Sequence, residues 1–336
     1  MKQVQIKAPG GLENLVLGEV DQPSSPAPGQ ILIQVHASSL NYHDLLVAAR
    51  PDRAADGRIP LSDGAGIILA VGAGVEAFSV GDAVVSCFFP QWQDGKHKPS
   101  NFAGVPGDGV DGFAREFITV PQEWLTLAPK GWSHAESATI TTAGVTAWRA
   151  LVVDGGIQAG DTVLVLGTGG VSIYALQLAK AMGARVIATT SSSQKAERLR
   201  SLGADEVINY REVPDWGMLV REMTGGRGAD IVVEVGGPGT LDQSIIATAV
   251  GGHIALIGVL TGLKGEINTA LMMARQQKLQ GLIVGSRQHQ MDFVTALNAT
   301  GVRPVIDKRF ALSELAAAFQ WQQSGQHFGK IVIDVC

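Results

Sequence analysis

Residues 162–172 read Thr-Val-Leu-Val-Leu-Gly-Thr-Gly-Gly-Val-Ser, and an apolar helical pattern follows as far as Met182. A short buried strand, a tight glycine turn and a helix start satisfy this pattern. Arg185-Val-Ile-Ala-Thr189 supplies a second buried strand and closes a strand-helix-strand unit. Gly167 permits the sharp turn, and Gly169 lets a phosphorylated ligand approach the main chain. Gly170 and Val171 open the helix, whose free N–H groups and positive end hold an anion. The third small position of the fingerprint is Ser172. The unit predicts an α/β chain that binds the pyrophosphate of a dinucleotide.

The end of the second strand discriminates between cofactors. An NAD site places an acid about twenty residues after the first glycine, to accept from the ribose 2′-hydroxyl. Here the chain reads Thr189-Thr-Ser-Ser-Ser-Gln-Lys195, with no acid. Hydroxyls such as Ser191 and the Lys195 ammonium hold a 2′-phosphate by charge-assisted hydrogen bonds, where a carboxylate would repel it. NADP(H) is therefore the expected cofactor, unless Lys195 is an ordinary solvated lysine at a helix start. The next strand, Glu206–Asn209, leads to Tyr210 and Arg211, either of which can close over the adenosine phosphate.

At 336 residues with 46% hydrophobic and 17% charged side chains, the chain is long enough for two domains and too apolar for extensive disorder. A net charge of −5 provides no broad basic surface for nucleic acid. The N-terminus lacks a signal-peptide pattern, and the strongest apolar stretch, Val163 to Met182, is broken by glycines, which excludes a membrane span there. Cys87 and Cys336 are too few for a disulfide framework, so a reduced, cytoplasmic setting is expected.

Up to residue 124 the chain is strand-rich, with β character at Gln30–Ala37, Gly64–Val71, Asp82–Ser86 and Phe113–Val120. A helical pattern covers Trp132 to Asp154. Further parallel strands are expected at Asp230–Val235, His253–Ile257 and Gly281–Val284, then a helix over Gln290–Thr300 and a final strand, Lys330–Asp334. Strand-helix alternation implies a sheet covered on both faces.

Several stretches carry a family likeness. Asn41-Tyr-His-Asp44 resembles a catalytic loop, and Asp63-Gly-Ala-Gly66 with Val71-Gly72, Val75 and Gly81-Asp82 a hairpin, of the medium-chain dehydrogenase/reductase superfamily. Thr142-Ala-Gly-Val-Thr146 is similar to its segment at the inter-domain cleft, and Gly236-Gly237, Ile257-Gly258 and Val284-Gly285-Ser286 resemble its cofactor-contacting turns. The resemblance implies a GroES-like β-rich catalytic domain (1–124 and 286–336) and a Rossmann doubly wound parallel-sheet domain binding NADP (125–285). It also implies a homodimer paired through the apolar strand at Gly281 to Gly285.

The zinc enzymes of that superfamily hold their metal with a Cys, a His-Glu pair and a second Cys or Asp. At the matching positions this chain has Asn41, Ser62-Asp63 and Thr142. Catalytic zinc takes three protein ligands from thiolate, imidazole or carboxylate, and only Asp63 qualifies, so no metal site is expected; His43 nearby reads as a polar loop residue. The likeness is greatest to the zinc-independent quinone oxidoreductase branch. It implies hydride transfer from NADPH to a small apolar carbonyl or quinone, with Asn41 bonding the nicotinamide ribose or the acceptor oxygen and Tyr42 polarising that oxygen or donating a proton. Asp44 reads either as a third catalytic group or as a loop-stabilising carboxylate. Thr142, Thr146 and Lys330 are expected at the cofactor, and Leu45–Pro60 and Phe88–Trp92 are expected to select substrate. Where related enoyl thioester reductases carry a tyrosine, this chain has Val47 to Asp52, which disfavours an enoyl-CoA. Two other readings stay open: an alcohol dehydrogenase working without zinc, and a catalytically idle NADPH-binding sensor.

Overall fold

The computed structural model describes residues 1–96 and 101–336. The chain divides into two compact units, Met1–Val145 with Val284–Cys336, and Thr146–Ile283. The first boundary thus lies about twenty residues beyond the expected 124/125. Two contacts explain the difference: Leu125–Leu127 pairs with Ala83–Ser86, and Ala135 and Ala138 bury against Ala37, Ala65 and Val332, which keeps this segment with the β-rich unit.

The first unit is built on a seven-stranded sheet. Its order is Ile306–Ala311, Lys330–Asp334, Gln30–Ser39, Ala65–Val71, Ala83–Ser86 and Leu125–Leu127, with Phe117–Pro121 also on Gln30–Ser39. Along Gln30–Ser39 the residues Ile31, Ile33, Val35 and Ala37 are buried, the two-residue period of a strand with one face inward. Ile31, Ile33 and Val35 join Val4, Ile6, Leu61, Ile68, Phe113 and Phe319 in one core; each large aliphatic chain buried there contributes about 1.5–3 kcal/mol. The strand Lys330–Asp334 runs antiparallel to Gln30–Ser39 with Val332 opposite Ser39, and the Leu40 N–H donates to the Ile331 carbonyl at 3.0 Å. That register brings residue 330 beside residues 40 and 41. A separate antiparallel pair, Lys2–Ile6 with Leu15–Glu19, was not predicted, because Leu15-Val-Leu17 is short and ends at a glycine, and the strand is largely exposed.

The second unit is a six-stranded sheet whose neighbouring strands are all parallel. Its order is Glu206–Asn209, Arg185–Thr190, Thr162–Leu166, Ala229–Glu234, Thr248–Leu256 and Lys278–Gly281. Counted along the chain this is 3-2-1-4-5-6, the doubly wound order whose switch point lies between strands 1 and 4. The expected edge strand is displaced from Gly281–Val284 to Lys278–Gly281. Val284 takes φ 47, a left-handed conformation that ends an extended run, and the polar Lys-Leu-Gln-Gly sequence hid the true strand from an apolar search.

Candidate active site

Near the start of Lys330–Asp334 the first unit gathers the residues that the family likeness placed together. Asp63, fully buried, accepts from the Thr142 hydroxyl at 2.6 Å and the Ser39 hydroxyl at 2.5 Å. The hydroxyls of Ser62 and Thr142 stand 3.5 Å apart. Thr142 is positioned by a wide π-type turn, Ile140–Gly144, a form of helix that recurs at functional sites. Asp44 sits in the first turn of the helix Tyr42–Ala49 and accepts from the Asn41 and Ser62 backbone N–H groups at 3.0 and 2.9 Å.

Asn41 is hydrogen-bonded on all sides within the first unit. Its side-chain amide donates to Asp44 Oδ2 at 3.0 Å and to the Ser39 carbonyl at 3.4 Å, while its Oδ1 accepts from Lys330 Nζ at 2.6 Å. Both amide hydrogens thus have acceptors within the protein, and these contacts brace the loop. Lys330 is also turned inward. Its ammonium donates to the Leu40 carbonyl at 2.6 Å as well as to Asn41, and Asp63 Oδ2 lies 3.6 Å away. The strand register described above puts it there.

Two buried carboxylates thus share one buried ammonium. Burial, then the charge of Asp63, push the Asp44 carboxyl above its usual range. Burial pushes Lys330 down, partly offset by Asp63 and Asp44. Among the described residues no group of three or more His, Cys, Asp and Glu side chains is placed to share a metal ion.

Tyr42 opens the helix Tyr42–Ala49 and is 43% exposed, so its phenol is available to a ligand. His43 is no free loop residue. Its Nε2 stands 3.2 Å from Asp108 Oδ2, with Arg53 at 3.0 Å from the same oxygen, and its ring lies against Phe88 and Phe102. Phe88, Phe89 and Trp92 are buried, so the expected substrate-selecting aromatics form a packed wall rather than an open surface. The continuation at 97–100 lies outside the described residues. Burial raises Asp108, but the hydrogen bond and charge of His43, followed by Arg53, outweigh it and hold the carboxyl below its usual range. A carboxyl depressed in the folded state stabilises the fold above its unfolded pKa, and that stability is lost as pH falls through the folded one. Asp108→Asn should therefore cost about 1 kcal/mol at neutral pH. In urea titrations the difference from the parent should shrink as pH falls below the usual carboxylate range and vanish once Asp108 is protonated in the folded state as well; an undiminished difference there would count against this pairing.

In the second unit the glycine turn has the geometry of an anion cradle. Gly167 adopts φ 73, and Gly169 heads the helix Gly170–Ala181 without a side-chain cap. A Cβ at either glycine would meet nothing within 4 Å. The first-turn N–H groups, Gly170 and Val171 among them, have no partner within the helix. Ser172 donates to the Leu166 carbonyl at 2.6 Å and so locks turn to strand. Thr146 is buried within this unit. Tyr210, 41% exposed, donates its N–H to the Thr190 carbonyl at 3.1 Å, beside Ser191. Ser192 caps the next helix by accepting from the Lys195 N–H at 3.4 Å, which leaves the half-buried Lys195 side chain in the first turn.

Across the switch point, Glu234 was missed from the sequence. This fully buried carboxylate accepts from the Gly236 and Gly237 N–H groups at 2.7 and 2.9 Å, from Thr240 at 2.6 Å and from Ser244, and so fixes the Gly236 turn. Its backbone carbonyl accepts from the N–H groups of Ile257 and Gly258. A Cβ at Gly258 would lie 2.1 Å from the Val235 carbonyl oxygen, which accounts for glycine there. In the first unit, after Val284, a Cβ on Gly285 would lie 2.8 Å from Val145 Cγ1. The Ser286 hydroxyl caps the helix Arg287–Thr300, so only its backbone remains for the expected cofactor turn.

Comparison with known proteins agrees with this architecture. The model of the alcohol dehydrogenase GroES-like domain matches residues 27–130 and that of zinc-binding dehydrogenases residues 170–300. A zinc-type alcohol dehydrogenase-like protein of Schizosaccharomyces pombe is 39% identical over 340 residues, 97% of this chain and 96% of its own. The crystal structure of an NAD-dependent alcohol dehydrogenase superposes with a TM-score of 0.89 at 33% identity, covering all of both chains. The crotonyl-CoA carboxylase/reductase AntE, in complex with NADP, gives 0.90 at 25% identity, covering 100% of this chain and 94% of its own. With both halves matched in chain order and a relative of this identity along its whole length, the chain belongs to the medium-chain dehydrogenase/reductase superfamily and is an oxidoreductase of its alcohol-dehydrogenase-like type.

Proposed function

We propose that this protein is an NADPH-dependent reductase that passes hydride to a quinone, a conjugated enone or an alkenal without a catalytic metal. The observation that carries this reading is the cluster of Asn41, Ser62, Asp63 and Thr142, which contains one anionic side chain and lies against the Lys330 ammonium. Zinc takes three protein ligands from thiolate, imidazole or carboxylate, and a fixed ammonium repels a dication. These residues do not fit the metal after which the family model is named. Alcohol oxidation calls for a Lewis acid at the developing alkoxide, whereas a conjugated acceptor spreads the incoming charge over its own framework.

The residues of the glycine cradle fit a dinucleotide. When bound, reduced nicotinamide supplies the hydride. The chain's own groups bind and orient: Gly169, Gly170 and Val171 hold pyrophosphate through N–H groups and the helix end, Gly167 makes the turn that brings them there with its own N–H donated to Thr189, and Gly236, Ile257, Gly258, Val284, Gly285 and Ser286 present backbone. Thr142 and Thr146 offer hydroxyls to the nicotinamide end. The exposed phenol of Tyr42 donates a hydrogen bond to the acceptor oxygen and, directly or through water, the proton that completes reduction. Asn41 and Asp44 hold that loop in place.

AntE with NADP supports the phosphorylated cofactor, and the NAD-dependent relative points the other way. The chain's own residues favour NADP: no acid lies between Thr189 and Lys195, and Lys195 follows the Ser191 and Ser192 hydroxyls in the first turn of the helix Ser193–Ser201, the residue types that hold a 2′-phosphate by charge-assisted hydrogen bonds. Lys195→Ala should therefore weaken NADPH binding by tenfold or more, given about 1.5–3 kcal/mol for a charged hydrogen bond, and leave NADH nearly unchanged. Equal losses in a fluorescence titration would remove the basis for the preference.

The enzymatic test mixes chelator-treated protein and NADPH with a panel of quinones, enones and alkenals and follows nicotinamide absorbance at 340 nm. Turnover on one class supports the reading, and none on any class rejects it. Alcohol-dependent NADP reduction under the same conditions would instead favour a metal-free alcohol dehydrogenase, the reading that the relatives' names suggest. We further propose a homodimer through the edge strand Lys278–Gly281, near which Leu260, Leu263, Met273 and Ile283 are exposed; light scattering at one chain's mass would refute it. No helix among the described residues is long and apolar enough to cross a membrane.

A further inference from the structure

Reduction of a conjugated acceptor does not by itself require a sealed lysine, yet Lys330 is 3% exposed, 3.6 Å from the buried Asp63 carboxylate and hydrogen-bonded to Asn41, which also donates to the buried Asp44. Lysine is almost never buried to this degree unless paired. It is also brought from the far end of the chain, 289 residues from Asn41, by a strand preceded by Gly329 at φ 86. A Cβ at Gly329 would lie 2.3 Å from the Val305 carbonyl oxygen, so the approach to Lys330 is sterically fixed.

An ammonium has three donors and no acceptor. Here the neighbouring oxygens are the Leu40 carbonyl, Asn41 Oδ1 and Asp63 Oδ2. A backbone carbonyl, an amide oxygen and a carboxylate are the oxygen types that coordinate hard cations. The arrangement also allows the Asn41 amide only one orientation, because Lys330 can only donate to its oxygen and ionised Asp44 can only accept from its nitrogen. Tyr42 follows directly in the chain.

We infer that Lys330 is a positioning residue: a tethered ammonium that serves this site as a built-in cation, compensating Asp63 and fixing Asn41 so that the Tyr42 loop is held for reaction. Its catalytic consequence rests on the reductase reading; its electrostatic part does not. Two donors of Lys330 are taken by the Leu40 carbonyl and Asn41 Oδ1, and Asp63 Oδ2 lies 3.6 Å away, so the inference assigns it to the loop and not to a cofactor contact.

The test compares Lys330→Met, Lys330→Arg and the double variant Lys330→Met/Asp63→Asn, the last of which removes the ammonium and the carboxylate 3.6 Å from it together. In the double variant we expect a folded protein whose NADPH Kd stays within about threefold of the parent while kcat falls about 100-fold, the scale of a misplaced reacting group. The exchange of the Asn41 side-chain amide hydrogens, followed by ¹⁵N NMR, should accelerate about tenfold or more. Lys330→Arg, which keeps the charge, should recover at least about a tenth of parental kcat. Parental kcat in the double variant, or an NADPH Kd that rises in step with the loss of kcat, would overturn the inference. If the parent protein turns over no acceptor, the reductase reading fails on its own, and unchanged amide exchange in the double variant still overturns the positioning role.

Discussion

Gly169→Val should leave the thermal midpoint within about 2 °C of the parent while weakening NADPH binding about 100-fold or more, a loss of roughly 2.7 kcal/mol. Gly169 has φ −76 and ψ 176, an extended conformation that any residue adopts, and a Cβ there meets nothing within 4 Å. The protein itself therefore gives no reason for glycine at this position. A ligand does: a branched side chain would occupy the approach to the first-turn N–H groups of Gly170–Ala181, where charged hydrogen bonds are worth about 1.5–3 kcal/mol each. Calorimetric titration with NADPH beside a melting curve separates the two effects. Unchanged affinity would mean that the turn is not the pyrophosphate site.

Asp63→Ala should destabilise the first unit by about 3–5 kcal/mol, the usual cost of removing one partner from a buried ion pair. The substitution leaves the Lys330 ammonium without its carboxylate and deprives the hydroxyls of Ser39 and Thr142 of their acceptor. Because the chain has two units, a single unfolding midpoint can merge two transitions. Hydrogen exchange along Gln30–Ser39 and Lys330–Asp334 is the better measure. Adding Lys330→Met to Asp63→Ala should recover more than half of the loss, since an uncompensated buried charge is the dominant cost. A loss below about 1 kcal/mol would show that solvent reaches the cluster and screens it.

Much of the second unit was legible in the sequence because its signals are local. Thr162–Leu166 is five consecutive buried residues, followed at once by Gly167, whose φ of 73 the turn demands. The same locality explains the failures. Lys278–Gly281 forms an edge strand from mostly exposed polar residues, so no apolar run marked it, whereas the apolar stretch beside it ends in a left-handed valine. The catalytic loop Asn41–Asp44 was found from its likeness to a family, but what its side chains do was not. The partners of Asn41, Asp44 and Asp63 lie at Lys330, Ser62 and Thr142, and no local pattern states which way a buried amide turns. Lys330 was expected at the cofactor, and only the antiparallel register against Gln30–Ser39 shows that its side chain turns inside. Glu234 lay within an expected strand and Asp108 had no expected role, because the partners of each are brought together only by the fold.

The central claim is hydride transfer from NADPH to a conjugated acceptor without a catalytic metal. It is tested most directly by measuring, on one chelator-treated sample, both metal content by mass spectrometry and deuterium transfer from [4-²H]NADPH to the acceptor. The account predicts deuterium in the product at the parental rate with far less than one metal ion per chain. Loss of transfer on chelation, restored by added zinc, would contradict it.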